Sequence, residues 1–227
     1  MALTLAQYKV RVLALLMDSG AAIWTVASDV SAECLRLALH EYSDATPCAR
    51  ETYIVAPAAG RELALSGISG LRGVTDVWFP FDPDVEDWPP SHVPYRVWWD
   101  DGSPVLFLSA ASGVQPQTDD EIRVFYTVDH TIQDLDSAAA TTIPATHESI
   151  IVVLAAGNAC FARAVDVSET SGVSSVTTPN LGALGSRWLK EGRRRLEALR
   201  AARPAAGVSG ESFGVGWGLD QWEGENG

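Results

Sequence analysis

The spacing of apolar residues changes twice along this chain of 227 residues, and that change constrains the fold more than any single motif. Near both ends, apolar side chains recur every three or four residues, which is typical of helices. From about residue 51, short runs of β-branched and aromatic residues alternate with Gly, Pro and Asp, which is typical of antiparallel strands. The sequence therefore predicts an α+β protein with a β module inserted between helical segments.

Four helices are predicted, two on each side of the β module. Thr4 and Gln7 have the spacing of a capping box at the start of the first helix. The third helix is apolar nearly all the way round and should be the most buried element. Two helices alone cannot bury a core, so we expect the helices from both ends to form one discontinuous bundle. The predicted helices are Leu3–Met17, Val30–Tyr42, His147–Val165 and Leu181–Ala202.

Two details of helix packing are also predicted. Gly157 in the third helix should allow another helix to approach closely. On the fourth helix, one stripe of apolar residues should face the core, and it consists of Leu181, Leu184, Trp188, Leu196 and Leu199.

Six short strands are predicted in the middle of the chain. The Asp101-Gly102 pair between two of them is a strong signal for a hairpin. Strands and turns at this spacing favour a small antiparallel β-sandwich or a barrel-like module. The predicted strands are Thr52–Val55, Glu62–Leu65, Val74–Phe79, Tyr95–Trp99, Val105–Leu108 and Glu121–Val128.

These patterns divide the chain into three parts. Residues 1–50 and 140–203 form the helical domain, residues 51–139 form the inserted β module, and residues 204–227 form an extended C-terminal tail. In the tail, Phe213, Trp217 and Trp222 are separated by glycines and cannot form a core of their own. We expect these aromatic residues to anchor the tail on a partner, and a disordered terminus is the alternative.

The net charge of −13 is unevenly distributed. Between Asp76 and Asp136 there are 13 acidic and 2 basic residues, whereas residues 187–203 hold 7 basic and 2 acidic ones. An acidic module and a basic helix suit contact between copies of the chain, and a solvated helix face is the alternative. Non-specific contact with DNA is also compatible with the basic residues of this helix: Arg187, Lys190, Arg193, Arg194, Arg195 and Arg200.

The motifs of common enzymes are missing from the sequence. It contains no phosphate-binding glycine loop, no nucleophile elbow and no zinc-binding helix motif, and its three Cys have no metal-ligand spacing. Four residues that lie close together in sequence could supply metal ligands: Asp129, His130, Asp134 and Asp136. We interpret the three aspartates as turn formers and helix caps. We therefore predict no catalytic residues, no metal and no cofactor.

No membrane segment is predicted. The apolar run Ile150–Cys160 is too short to span a bilayer, and Arg163 follows it. We expect a protein made and kept in the cytoplasm of its cell.

Three helical segments, about 100 residues together, resemble the head-to-tail connector proteins of tailed bacteriophages, also called adaptor or head-completion proteins. The segments are LRLALHEYSDATP, TTIPATHESIIVVLAAGNACFARAVD and LGALGSRWLKEGRRRLEALR. The resemblance implies a non-enzymatic ring, commonly of twelve copies, in the neck of the virion below the portal protein. It also implies that the helices surround the DNA channel, that the C-terminal extension grips the portal, and that a tail or stopper protein follows. The alternatives are another virion structural protein, such as a tail-completion or decoration protein, and a metal-dependent hydrolase using the Asp129 group.

Overall fold

The computed structural model describes residues 2–17, 29–81, 91–110, 113, 115–169 and 177–202. Helices lie at both ends of this part of the chain and strands lie between them, which confirms the predicted α+β class. The helices are α1 (Leu5–Leu15), α2 (Asp29–Ala45), α3 (Glu148–Glu169) and α4 (Thr177–Ala202). The strands are β1 (Cys48–Val55), β2 (Glu62–Ala64), β3 (Leu71–Trp78), β4 (Tyr95–Asp100), β5 (Ser103–Leu108) and β6 (Glu121–Val128).

Helix α3 is the centre of the helical core. Its residues Ile151, Leu154 and Ala155 are completely buried. They belong to one apolar cluster with Tyr8 of α1 and Leu196 of α4, together with residues of α2. The helices from the two ends of the chain therefore share one core, as predicted. The capping box of Thr4 and Gln7 is also present at the start of α1.

Glycines let α3 and α4 pack closely. A Cβ atom built on Gly157 would lie 2.8 Å from Cγ of Leu189, and one built on Gly192 would lie 2.5 Å from Cδ2 of Leu154. Both distances are far below van der Waals contact, so only glycine fits these positions without a shift of the leucine side chain that lies against it. This confirms the predicted role of Gly157.

Helix α3 is longer than predicted, and its residues Glu148–Val165 are long and apolar enough to cross a membrane by length and composition. However, 67% of that window is buried inside the protein. Burial on this scale is typical of the central helix of a water-soluble core, which passes the same hydropathy test.

The six strands form two antiparallel sheets with the orders β1-β6-β3 and β2-β5-β4. Residues from both sheets share a second apolar core, with Val77 and Ile122 from one sheet and Leu63, Leu106 and Leu108 from the other. This arrangement confirms the predicted antiparallel β module.

The predicted hairpin is present between β4 and β5. Asp100 pairs with Ser103, and the two loop residues Asp101 and Gly102 have φ values of 49° and 81°. Positive φ at both central residues is the geometry of the tight turn that an Asp-Gly pair favours.

The largest boundary differences, four residues each, lie at the start of β1, the end of α3 and the start of α4. Strand β1 begins at Cys48, because Cys48–Glu51 pair with the second half of β6 although their side chains carry no strand pattern. Helix α4 begins at Thr177, four residues before the predicted start at Leu181. The division of the chain into domains stays a prediction, and the predicted tail 204–227 lies outside the described residues.

Candidate interaction surfaces

Most of the predicted basic residues on α4 bind acceptors within the same chain. Arg193 lies 2.7 Å from Glu41, and Arg194 and Arg195 lie 2.9 Å and 2.8 Å from Glu191. Hydrogen bonds from Arg194 and Arg195 lower the pKa of Glu191 to about 2. The C-terminal half of α4 is therefore less positive than the sequence suggests.

Arg200 follows the same trend. Its guanidinium donates a hydrogen bond of 3.4 Å to the backbone carbonyl of Asp44 at the end of α2. This contact and the Arg193–Glu41 ion pair both hold α4 against α2.

Arg187 and Lys190 differ from these four residues. Both are exposed, and neither has a carboxylate partner within the part of the chain that the structure describes. Lys190 lines a groove of about 500 Å³ between α3 and α4, together with Phe161, Ser186 and Leu189. The uncompensated positive charge of α4 thus lies in its first half, beside apolar residues.

Three large apolar side chains of α3 and α4 are exposed. Phe161, which lines the groove, is 39% exposed, Val165 is 57% exposed and Leu184 is 37% exposed. The sequence placed Leu184 in the core-facing stripe, and this is wrong: Leu189 packs against the core instead. Besides the residues already named, Arg193, Arg194 and Glu197 line the groove, so it carries charges of both signs.

A second exposed apolar surface lies at the β4–β5 hairpin. Trp98 is 38% exposed and Trp99 is 61% exposed, and both belong to β4, which is an edge strand of its sheet. Asp100 and Asp101 follow them and are also exposed. Exposed indole rings on an edge strand are typical of contact surfaces. We call Trp98, Trp99, Asp100 and Asp101 the hairpin tip.

The β1-β6-β3 sheet carries a cluster of aromatic rings around one arginine. The guanidinium carbon of Arg123 lies 5.0 to 5.7 Å from the centroids of four rings, which are Tyr53, Trp78, Phe81 and Phe125. Arg123 also forms a 2.7 Å ion pair with Glu51. Arg123 and Phe125 are two residues apart on β6 and therefore share one face of the strand, and the strand register shows that β1 and β3 complete the cluster.

The residues considered as metal ligands are engaged separately. Asp129 binds Arg72, Nδ1 of the buried His130 lies 3.0 Å from Oγ1 of Thr142, and Asp136 lies 2.7 Å from Arg36. Over the described ranges, no three His, Cys, Asp or Glu residues are grouped so that they could hold a metal ion. Asp134 and Asp136 have φ values of 68° and 51°, which agrees with their interpretation as turn formers.

The residues predicted to anchor the tail, Phe213, Trp217 and Trp222, lie outside the described residues. Their role stays a prediction.

Comparison with protein-family models and with curated proteins gives no match. Among solved structures, the chain is similar to one from the neck of an empty gene transfer agent particle computed with C6 symmetry. The identity is 18%, the alignment covers 82% of this chain and 89% of that one, and the TM-score is 0.30. A chain from the neck of the native particle computed with C12 symmetry has 16% identity, coverage of 83% and 93%, and a TM-score of 0.29. These values are too low to define a common fold or function, so the function is inferred from the residues and surfaces of this chain.

Proposed function

We propose that this chain is a structural adaptor in the neck of a tailed phage or phage-like virion. In this role, copies of the chain form a ring that docks on the portal protein and extends the DNA channel toward the tail. The observation that carries the proposal is the helical core. The three segments that resemble head-to-tail connectors form α2, α3 and α4, and these helices pack on one another although about 100 residues separate the first segment from the second.

The described side chains support a structural role. The best candidates for ligands in a metal-dependent enzyme bind separate partners: Asp129 binds Arg72 and Asp136 binds Arg36. The exposed apolar groups instead include Trp98 and Trp99 of the hairpin tip and Phe161 beside the groove between α3 and α4. A protein with such surfaces is suited to assembly with copies of itself and with neighbouring virion proteins.

The C-terminal tail is the proposed portal anchor. The chain continues for 25 residues after Ala202, and an extended segment of that length reaches at most about 80 Å. Its aromatic residues Phe213, Trp217 and Trp222 supply apolar anchors, and the glycines between them permit close approach to a partner surface.

The tail is tested by replacing its anchors in the full-length chain. The described apolar cores are formed by residues before position 200, so Phe213→Ala with Trp217→Ala and Trp222→Ala should leave the thermal midpoint unchanged. Co-purification with the portal protein of the same particle should fall at least about tenfold, since aromatic anchors carry most of the energy of such contacts. The matched control, with all three positions changed to aromatic residues of another kind, should retain binding. Unchanged portal binding by the alanine variant contradicts the anchor role.

A second candidate function is that of another virion structural protein, such as a tail-completion or decoration protein, in which the β module makes the main contacts. The exposure of Trp98 and Trp99 on the β module favours it. Replacing both with Ala separates the two functions. The adaptor retains its portal contact, whereas a protein that attaches through its β module is lost from the particle.

A further inference from the structure

The outer face of the β2-β5-β4 sheet is built from two rows of residues that cross all three strands. Leu63, Leu106 and Val97, one from each strand, contact the core of the β module. The residues that alternate with them therefore point away from that core. We call these six residues the β5 face, and their rows are Glu62–Phe107–Arg96 and Ala64–Val105–Trp98.

The β5 face is not the polar surface that the solvent side of an antiparallel sheet normally presents. Trp98 is 38% exposed, and its ring centroid lies 5.6 Å from that of the half-buried Phe107. Glu62, Ala64 and Arg96 are exposed around these rings. Aromatic rings on an open face are typical of a contact surface.

The two charges of the β5 face lie on opposite edge strands. Glu62 on β2 and Arg96 on β4 are both opposite Phe107, one on each side of it. Their Cα atoms are therefore two strand spacings apart, which is about 10 Å. Neither side chain forms an ion pair or a hydrogen bond with another residue in the described part of the chain. Each charge is thus available to a partner.

We infer that the β5 face of one copy packs on the β5 face of a second copy, about a two-fold axis parallel to β5. The axis turns the second sheet over, so that its β4 lies on β2 of the first copy. Glu62 then meets Arg96 of the second copy, and Arg96 meets its Glu62. In the other row, the large Trp98 meets the small Ala64. Sheets that pack face to face in this way lie about 10 Å apart with their strands nearly aligned.

Charge complementarity identifies the second copy as the occupant. The two edge strands carry opposite charges, so a copy turned over by the two-fold axis brings the opposite charge to each of them. The outer face of the β1-β6-β3 sheet is the contrasting case. Its row Glu51–Phe125–Asp76 has a carboxylate on both edge strands, and the same operation would place Glu51 on Asp76. Of these two faces, only the β5 face is self-complementary in charge.

A two-fold contact is complete with two copies and cannot continue around a larger ring. The inference therefore concerns the free chain before it joins a particle, and it goes beyond the proposed adaptor role. The β5 face is three strands, or about 14 Å, wide. This is small for a permanent dimer, so we expect a dissociation constant in the micromolar range.

The test is a charge-exchange experiment on the full-length chain, with dimerisation followed by sedimentation velocity over a concentration series. Arg96→Glu places two carboxylates together, and symmetry repeats this twice in each dimer. Glu62→Arg does the same with two guanidinium groups, and each variant should dimerise at least about tenfold more weakly. The chain with both substitutions restores opposite charges and should dimerise within about threefold of the original protein.

A third variant tests the uncharged row. Ala64→Gln enlarges the side chain that meets Trp98 without changing the net charge, and it should also weaken dimerisation. Two exposed residues outside the β5 face provide the charge controls. Arg50→Glu and Glu197→Arg change the net charge by the same amounts as the test substitutions and should leave dimerisation unchanged. All five substituted positions are exposed, so the thermal midpoint should stay the same in every variant.

Three outcomes overturn the inference: reversals no more harmful than the controls, no restoration in the exchanged pair, or a protein that stays monomeric up to about 500 μM. The adaptor role is judged separately, by locating the chain in purified particles. A chain that lies in the neck but stays monomeric when free refutes the inference alone. A chain that dimerises as described but is missing from the neck refutes the proposed function alone.

Discussion

His130 is a buried titratable residue that the structure holds through three kinds of contact. Its backbone N–H donates to Oγ of Ser43 at 3.0 Å, its Nδ1 lies 3.0 Å from Oγ1 of Thr142, and its ring centroid lies 5.0 Å from that of Tyr42. Tyr42 in turn lies 2.6 Å from Nδ1 of His147. These residues join α2, the segment after β6 and the start of α3, so the state of His130 affects the whole helical core.

The stability of the protein should decrease as the pH falls below about 6.5, the ordinary pKa of histidine, because burial lowers the pKa of His130 in the folded protein. Between pH 6.5 and the lower pKa of the folded protein, the unfolded chain takes up a proton at His130 that the folded chain does not. The free energy of unfolding therefore falls over this interval and levels off below the folded pKa. This group contributes at most about 1.4 kcal/mol per pH unit. Urea unfolding at several pH values between 7.5 and 5.5 measures it. In the His130→Asn variant, whose side chain does not titrate, the free energy of unfolding should change less steeply with pH. Equal slopes in the two proteins would contradict the assignment of this pH dependence to His130.

The packing of α3 on α4 is defined at the scale of the element. The buried face of α4 is formed by Gly185, Leu189, Gly192 and Leu196, spaced four, three and four residues apart. Each glycine accepts a bulky group of α3: Leu154 lies against Gly192, and Phe161 lies against Gly185. Leu189 in turn fills the space over Gly157 of α3.

Gly192→Ala should destabilise the protein by about 1 to 3 kcal/mol, because its methyl group would overlap the buried side chain of Leu154. Gly182→Ala in the same helix is the matched control, since nothing lies within 4 Å of a Cβ atom there. It should stabilise the protein by about 0.5 to 1 kcal/mol through helix propensity. Chemical denaturation measures both variants, and a similar effect of the two would contradict the close helix contact.

The number and order of the elements could be predicted from the sequence, because they depend on local patterns. The alternating residues of β6, the Asp101-Gly102 turn and the apolar run of α3 are local signals, and the structure contains all three. The buried stripe of α4 could be predicted only in part: Trp188, Leu196 and Leu199 pack in the core as expected, but hydrophobic periodicity does not score Gly185 and Gly192, which lie against α3. The start of β1 depends on pairing with β6, which is distant in sequence.

The interaction surfaces were only partly predictable for a similar reason. The sequence shows the cluster of cations on α4, but it does not show that Glu41 of α2 pairs with Arg193. Nor does it show which apolar residues remain exposed after folding, such as Phe161 in the apolar helix α3. Both properties depend on how helices from distant parts of the chain cross.

At the scale of the whole molecule, Arg72 connects the β module to the helical core. It lies at an irregularity of β3, where the pairing with β6 shifts between Leu71 and Gly73. Such a bulge redirects a side chain, and the guanidinium of Arg72 contacts Asp129 after β6 and lies 2.6 Å from Asp44 at the end of α2.

Arg72→Ala should lower the free energy of unfolding by about 1 kcal/mol, a modest value because Asp44 and Asp129 are each about half exposed and solvent screens the pairs. The substitution should also separate the unfolding of the β module from that of the helices. Differential scanning calorimetry detects this as a broadened or split transition. Arg50→Ala, an exposed arginine on β1, is the control and should leave one sharp transition. An unchanged transition in Arg72→Ala would contradict the linking role.

The adaptor role is the central claim, and the position of the chain in a particle tests it most directly. Electron cryo-microscopy of purified virions of the phage or phage-like particle that encodes the chain measures that position. The account predicts a ring of copies between the portal and the tail, with α2, α3 and α4 packed as described and the C-terminal segment running toward the portal. Density for the chain on the capsid surface or along the tail, or its absence from the particle, would contradict the account.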